Sequence, residues 1–404
     1  MTERWIHTWA AAQQRAQPAD LPPVDGPGWA LAGATLRQTV RCSLGGPRVR
    51  LRVSNAFGDA PLPVVRASVA APEGGRAGAR AVDSDPVPVT FGGRPGTEVP
   101  PGALVVSDPV EVPVAAGAHL SATLAFAAGA DPGGTTTHPG SRTTSHVVPG
   151  DRVDELDLPG AAPIEHWYVL TGVEVPAGED AGAVVLLGDS LTDGRGSTTD
   201  GADRWSDRLL ERLLAVGATG TAVLNQGIGG NRVLGDGVGP SALARLDRDV
   251  LALGGVRTLV VLEGVNDLGT TAGTPDAQRG AAADLLAGYE QIALRCRARG
   301  IAVIGATLLP FGGHDGYDDP GGLREGSRQE VNAQLRTGRV FDALVDLDDA
   351  LRDPDHPSWL RADVDGGDHL HLSPAGYAEL AGAVPLDLLA VRAASDDVVT
   401  NHAP

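Results

Sequence analysis

The chain contains no lysine: all 32 basic residues are arginines, set against 51 acidic residues, and the formal net charge is −19. A surface this acidic repels the phosphates of nucleic acids and of anionic membranes, so we expect neither as a partner. Aromatic residues make up only 4% of the chain, and no apolar run approaches the roughly 18 residues that a membrane span needs. Residues 1–5 carry no apolar signal core. The sequence as written therefore predicts a cytoplasmic protein, or a secreted one if a signal peptide has been removed.

Cysteine is nearly absent as well. Cys42 and Cys296 are the only two in 404 residues, and they lie too far apart to form a metal-binding motif. We therefore expect no disulfide between them and no structural metal. A chain of this length is too long for one ordinary hydrophobic core, so two domains are expected.

The first part of the chain, over residues 1–176, predicts an all-β domain. Val49–Val53 alternates apolar and charged residues, as a half-buried antiparallel strand does. Four further runs show the same period, at 87–91, 110–114, 120–126 and 167–175. Many short strands between glycine- and proline-rich turns favour a sandwich or jelly-roll-like domain. Residues 131–150 are expected to form a long loop.

After a linker over 176–182, the pattern changes to alternating strands and helices over residues 183–392. Five apolar stretches predict strands, at 183–187, 221–224, 258–262, 301–308 and 341–347. Helices are predicted between them, and Ser373 followed by Pro374 is typical of the start of a last helix. This alternation predicts a three-layer α/β/α domain with a mostly parallel sheet. Residues 393–404 are expected to be a flexible tail.

The stretch 183–194 stands out within this second part. Five apolar residues, 183–187, predict a strand buried on both faces, and 188–191 (Gly-Asp-Ser-Leu) follow at once. Open α/β sheets bind their ligands at the carboxyl ends of the strands, which is where this order delivers Ser190. Gly188 allows the sharp turn between strand and serine.

Polar residues follow three other predicted strands, at 225–231, 263–267 and 365–371. In a parallel sheet these loops meet at one edge, and the set suits acyl transfer. Ser190 is the candidate nucleophile, His371 the base, and Asp368 the group that orients His371. The main-chain N–H groups of Ser190 and Gly230 and the side chain of Asn266 are candidate donors for an oxyanion hole.

These four blocks resemble those of the SGNH hydrolases, also called the GDSL esterase/lipase family. Residues 188–191 match its first block, 225–231 its second, 264–267 (Gly-Val-Asn-Asp) its third and 368–371 (Asp-His-Leu-His) its fourth. The resemblance implies a flavodoxin-like sheet, a Ser-His-Asp triad and ester hydrolysis without metal or cofactor. The N-terminal part, beginning at Trp5–Trp9, is similar to the β-domain of a two-domain actinobacterial subgroup. Leu372 stands where that subgroup usually has proline.

Several other polar residues admit simpler interpretations. His369 is a rival base, but the three-residue spacing from Asp368 favours His371. Asp365 is interpreted as a turn residue, and three aspartates are expected to bond loop amides rather than act in chemistry: Asp189, Asp193 and Asp267. No second cluster of histidine or cysteine has the spacing of a metal site, so we expect no metal.

The leading hypothesis is a serine esterase for short acyl groups, such as acetyl groups on a carbohydrate or a small metabolite. Alternatives are a thioesterase, a lysophospholipase or an acyltransferase on the same scaffold, and a carbohydrate-binding protein with a vestigial hydrolase site. The short linker keeps the domains adjacent, so we expect the β-domain to shape the substrate site through the segment 131–150. His138 and Arg142 are the candidate substrate-binding residues there. The expected partner is a small-molecule ester, and the oligomeric state stays open.

Overall fold

A computed structural model describes residues 3–22 and 29–389, and the predicted tail at 393–404 lies outside them. Residues up to 176 form short strands. Their bounds are β1 Trp5–Ala10, β2 Gln14–Arg15, β3 Ala34–Arg41, β4 Arg50–Ser54, β5 Leu62–Ala70, β6 Val87–Val89, β7 Thr97–Val99, β8 Leu104–Val106, β9 His119–Phe126, β10 Thr136–His138, β11 Ser145–Pro149, β12 Ala162–Ile164, β13 Trp167–Tyr168 and β14 Leu170–Pro176.

These strands build three antiparallel sheets. Their orders are β1-β14-β4-β8, β13-β10-β2 and β12-β11-β3-β9-β5-β6, with β7 also paired to β5. Buried side chains of the first and last sheets, such as Leu51 and Leu124, belong to one apolar cluster. The sheets therefore share a core, and the predicted all-β class of this region is confirmed.

Two strand predictions in this region were wrong. Residues 110–114 form only single bridges, Val110 to Val49 and Val114 to Gly46. Pro109 and Pro113 interrupt the run, and proline has no N–H for the ladder. The predicted strand at 167–175 is broken at Val169, whose φ of 51° is unusual for a β-branched residue. The chain passes there from β13 in one sheet to β14 in another.

The segment 131–150 is also not one continuous loop, because it contains β10 and β11. β10 lies between β13 and β2, and β11 extends the largest sheet. Threonine is β-branched and favours strands, and residues 135–137 are all threonine. The pairing of β10 fixes the position of His138 at its end, directly opposite Trp167.

The second half of the chain alternates strands and helices, as predicted. Its strands are β15 Gly182–Gly188, β16 Thr221–Gly227, β17 Val256–Leu262, β18 Ala302–Ala306 and β19 Ala343–Val345. Its helices are α1 Ser190–Asp193, α2 Trp205–Ala215, α3 Ala242–Leu246, α4 Val265–Gly269, α5 Pro275–Arg297, α6 Leu323–Arg336, α7 Leu347–Leu351 and α8 Pro374–Ala383. Ser373 caps α8 through its hydroxyl, which accepts a hydrogen bond from Gly376 N–H.

All five strands are parallel, in the order β16-β15-β17-β18-β19. This order is the flavodoxin-like one. Alternate residues of β15 point to opposite sides: Val185 packs in a cluster with α5, and Val184 packs in a second cluster with α2 and α8. The three-layer α/β/α fold is therefore confirmed, with the strand before Ser190 buried on both faces.

The β-rich region packs directly on this sheet domain. The ring Nδ1 of His7 accepts a hydrogen bond of 2.8 Å from Gly254 N–H, and the Ser43 hydroxyl accepts one of 3.0 Å from Val223 N–H. Ile6 lies so close to Gly255 that a β-carbon there would overlap it at 2.7 Å. Apolar residues of both regions form one continuous cluster. The relative placement of the two regions is thus set by buried contacts.

Within the described residues, none of the helices combines the length and the apolar character needed to cross a membrane. Both cysteines are buried and free, Cys42 among the β-strands and Cys296 in α5. Burial raises the pKa of the Cys42 thiol to about 12 and that of Cys296 to about 11, so both stay protonated at neutral pH.

Candidate active site

Ser190 is the first residue of α1, immediately after β15. Asp189 caps the helix, since its side chain accepts a hydrogen bond of 2.9 Å from Leu191 N–H. The turn requires glycine at 188, because a β-carbon there would lie 2.1 Å from the Thr192 hydroxyl and 2.4 Å from Leu262 O. Ser190 therefore stands at the carboxyl edge of the sheet, only 6% exposed.

A chain of two short hydrogen bonds runs from this serine. Ser190 Oγ lies 2.7 Å from His371 Nε2, and His371 Nδ1 lies 2.6 Å from Asp368 Oδ2. The other carboxylate oxygen of Asp368 accepts hydrogen bonds from the main-chain N–H groups of Leu370 and His371, at 3.1 and 2.8 Å. Both oxygens of the Asp368 carboxylate are thus held by hydrogen bonds.

Burial of the imidazole favours its neutral form. Burial lowers the pKa of His371 below its ordinary 6.5; Asp368 opposes this, and Arg195 adds to it. Burial acts to raise the pKa of Asp368, but hydrogen bonds from the His371 ring and N–H outweigh it and hold the pKa at about 2. At neutral pH, His371 can therefore accept a proton while Asp368 is ionised.

His369, the rival base, lies in a separate pair. Its Nδ1 is 2.6 Å from Asp365 Oδ2, and its ring packs beside Trp359 at a centroid distance of 5.1 Å. Asp365 Oδ1 accepts main-chain hydrogen bonds from Gly367 and His369, as expected of a turn residue, and its Oδ2 holds the His369 ring in addition. Two similar Asp–His pairs therefore lie side by side, and His371 is the one that reaches Ser190.

Three residues of the cavity at Ser190 carry candidate hydrogen-bond donors. Ser190, Gly230 and Asn266 line the same cavity. Among the described residues, the main-chain N–H groups of Ser190 and Gly230 have no acceptor. Asn266 uses its amide nitrogen to donate to Asn231 O at 2.8 Å, which leaves its second N–H available. Preorganised donors of this kind suit the oxyanion of a tetrahedral intermediate.

A buried arginine joins the loops beneath these donors. Arg245 donates to Gln226 O at 2.6 Å, to Asn231 Oδ1 at 2.9 Å and to Gly188 O at 3.1 Å. Its guanidinium also lies 3.4 Å from Glu263, and both side chains are fully buried. Burial raises the pKa of Glu263 well above its ordinary value, although Arg245 opposes this. Arg245 therefore ties the ends of three strands together under the site.

The aspartates expected to bond loop amides behave differently from one another. Asp189 and Asp267 do so, the latter accepting from Val233 N–H at 2.9 Å and Leu234 N–H at 3.1 Å. Asp193 instead faces the β-rich region: its carboxylate lies 2.9 Å from His138 Nε2 and 3.7 Å from Arg142.

The cavity above Ser190 has a volume of about 500 Å³ and is lined by both regions of the chain. His138 and Arg142 both belong to its wall. His138 is 5% exposed, and its two ring nitrogens face Ala12 O and Asp193, each at 2.9 Å. Both nitrogens of His138 are therefore engaged, while the Arg142 side chain stays partly exposed.

Sequence reasoning missed several residues of this wall. The β-rich region adds Gln14, Gln17 and Asp20, and the loop between β18 and α6 adds Tyr317. None of them belongs to the four blocks, and only the fold brings them to Ser190. Among residues 3–22 and 29–389, no group of three or more histidine, cysteine or acidic side chains is arranged to hold a metal ion.

Comparison with known proteins identifies the sheet domain. Residues 186–379 match the model of the GDSL-like lipase/acylhydrolase family. This part of the chain belongs to that family. The protein is accordingly a hydrolase with a GDSL-like domain, and its β-rich region lies outside the match. No curated protein matches the chain.

Solved structures similar to this chain include a lipolytic protein of the G-D-S-L family from Desulfitobacterium hafniense, with 17% identity, coverage of 50% of this chain and 99% of that one, and a TM-score of 0.37. A GDSL-like lipase from Bacteroides thetaiotaomicron has 18% identity, coverage of 52% and 87%, and a TM-score of 0.37. An acetyl xylan esterase from Geobacillus stearothermophilus has 22% identity, coverage of 50% and 94%, and a TM-score of 0.37.

Proposed function

We propose that the protein is a serine esterase that hydrolyses short-chain carboxylic esters, with Ser190 as nucleophile, His371 as base and Asp368 as the residue that orients it. The observation that carries this proposal is the hydrogen-bonded series from Ser190 Oγ through His371 to Asp368, at 2.7 and 2.6 Å, beside an open cavity. A serine needs such a base to become nucleophilic.

In the proposed reaction, Ser190 Oγ attacks the ester carbonyl while His371 Nε2 takes its proton. The resulting oxyanion accepts hydrogen bonds from Ser190 N–H, Gly230 N–H and Asn266 Nδ2. His371 then returns the proton to the leaving alcohol, and an acyl-serine remains. Water, deprotonated by the same imidazole, then attacks the acyl carbon; the bond to Ser190 Oγ breaks, His371 returns the proton to Oγ, and the acid leaves.

The residues that line the cavity favour a substrate with a small acyl group and a polar alcohol. Apolar contributions near the donors are limited to side chains such as Ile228, Val238 and Leu370. The β-rich region supplies amide, carboxylate and guanidinium groups from Gln14, Asp20 and Arg142. Such groups can bond hydroxyls, so an acetylated carbohydrate or a small polar metabolite is the proposed substrate class.

The segment 138–142 contributes in two ways. Arg142 is proposed to contact the alcohol side of the substrate. His138 is proposed to hold Asp193, the last residue of the short helix that begins at Ser190. Gly140 packs so tightly here that a β-carbon would lie 1.8 Å from the Asp193 carboxylate. Arg142→Ala should therefore raise KM, whereas His138→Ala should lower kcat.

Hydrolysis of p-nitrophenyl esters of increasing acyl length, together with acetylated sugars, tests the proposal. We expect kcat/KM to be highest for acetyl or propionyl esters and to fall with longer chains. Inactivity towards every ester, with binding of unmodified sugars instead, would favour a binding protein. A preference for thioesters or for lysophospholipids would assign one of the other activities to the same site.

A further inference from the structure

We propose that Tyr317 is a positioning residue: its hydroxyl fixes the orientation of the Asn266 amide, so that the amide nitrogen faces the oxyanion. This inference rests on the proposed function, because it concerns the donor set of that reaction. Tyr317 lies on the loop between β18 and α6, 51 residues beyond Asn266, and its hydroxyl is 2.6 Å from Asn266 Oδ1.

The neighbours of Asn266 determine which end of the amide is which. Asn231 O is a carbonyl oxygen and can only accept, so the Asn266 atom 2.8 Å from it must be the NH₂ nitrogen. The other end is therefore the oxygen, and the Tyr317 hydroxyl must donate to it. With both ends engaged, one N–H of Asn266 remains for the cavity that Asn266 and Tyr317 both line.

The Tyr317 ring is itself held in place. It packs against a small apolar cluster formed by Val265, Phe311 and Leu370, and its ring meets that of Phe311 edge to face at 6.1 Å. Its other face lies against α4, where a β-carbon at Gly269 would come within 2.4 Å of the ring. Leu370 directly precedes His371. The Tyr317 side chain therefore packs against the loop that carries His371 and also forms a hydrogen bond with Asn266.

The hydroxyl is a reliable donor at working pH, since burial raises the pKa of Tyr317 above its ordinary value. A tyrosine is also a stiffer support than water, because its ring is packed on two sides. Loss of the hydroxyl should leave Oδ1 of Asn266 without this donor and let the amide rotate, which weakens one oxyanion contact without removing it.

A double-mutant cycle tests this role. Tyr317→Phe keeps the ring and removes only the hydroxyl; we expect kcat for p-nitrophenyl acetate to fall about 10-fold with KM nearly unchanged. Asn266→Ala alone should cost about 10²–10³-fold. In the Asn266→Ala background, Tyr317→Phe should have almost no further effect on kcat. The pH midpoint set by His371 should not move in any of these variants.

Thr270→Val is the matched control. The Thr270 hydroxyl donates to Asn266 as well, at 2.7 Å, but to its main-chain carbonyl. It should leave kcat close to that of the wild type. Gly269→Ala provides a second route, because it displaces the Tyr317 ring while keeping the hydroxyl, and it should also lower kcat. Thermal unfolding of each variant identifies any general loss of structure.

Three results would overturn the inference: an unchanged kcat in Tyr317→Phe, an equal loss from Tyr317→Phe with and without Asn266, or an increase in KM alone, which would indicate a substrate contact. Labelling of Ser190 by a fluorophosphonate separates this failure from failure of the proposed function. Labelling at Ser190 with an additive cycle refutes only the role of Tyr317. Labelling elsewhere, with full activity of Ser190→Ala, refutes both.

Discussion

Replacement of Asp368 by asparagine should abolish most of the activity through the tautomer of His371. Oδ1 of Asp368 accepts two main-chain hydrogen bonds, from Leu370 and His371, while Oδ2 faces the ring. An asparagine must keep its oxygen towards those two donors, so its NH₂ group faces His371 Nδ1. That nitrogen then has to accept, and the ring proton moves to Nε2, where it opposes removal of the serine proton.

The expected loss in kcat is up to about 10⁴-fold, which corresponds to about 5.4 kcal/mol of transition-state stabilisation. Single-turnover hydrolysis of p-nitrophenyl acetate measures it. Asp365→Asn is the matched control, because Asp365 holds His369 in a pair of the same 2.6 Å length and accepts similar main-chain bonds. A large loss in Asp365→Asn, with little in Asp368→Asn, would refute this reasoning and assign the base to His369.

Three further predictions concern pH, stability and metals. The kcat/KM should rise with pH through a single midpoint below 6.5, which is set by the pKa of His371. Arg195→Gln should raise that midpoint, because it removes a positive charge that lowers the pKa of His371. A lowered midpoint in this variant would contradict the assignment. Arg245→Met should reduce the free energy of unfolding by about 3–5 kcal/mol in urea titrations. The change leaves Glu263 without its buried partner and removes the donor to Gln226 O, Asn231 Oδ1 and Gly188 O. A decrease of less than about 1 kcal/mol would argue against this role. EDTA should leave kcat unchanged, and loss that zinc or manganese restores would overturn the metal-free mechanism.

The sheet domain could be predicted from the sequence because its information is local. The apolar run before Ser190, the Ser373-Pro374 helix start and the spacing from Asp368 to His371 each involve neighbouring residues. Parallel pairing then brings the four blocks to one edge regardless of the details of the helices. The bond between Ser190 and His371 spans 181 residues, yet it follows from that topology.

The cavity wall could not be predicted in the same way. Gln14 and Tyr317 reach the site only because β2 and one irregular loop pack there. Neither segment has a hydrophobic periodicity in the sequence that would predict this packing. The buried position of Arg245 could not be predicted from the sequence either, because a single arginine in a helix is usually solvent-exposed. In the β-rich region, local alternation at 110–114 was misleading, since Pro109 and Pro113 outweighed the apolar period.

The most direct test of the central claim is covalent labelling of the nucleophile. A fluorophosphonate should modify the wild-type protein once, and peptide mass spectrometry should locate the adduct on Ser190. Ser190→Ala should neither be labelled nor hydrolyse p-nitrophenyl acetate, while its thermal unfolding stays close to that of the wild type. An adduct on another residue, or wild-type turnover by Ser190→Ala, would contradict the assignment of Ser190 as the nucleophile.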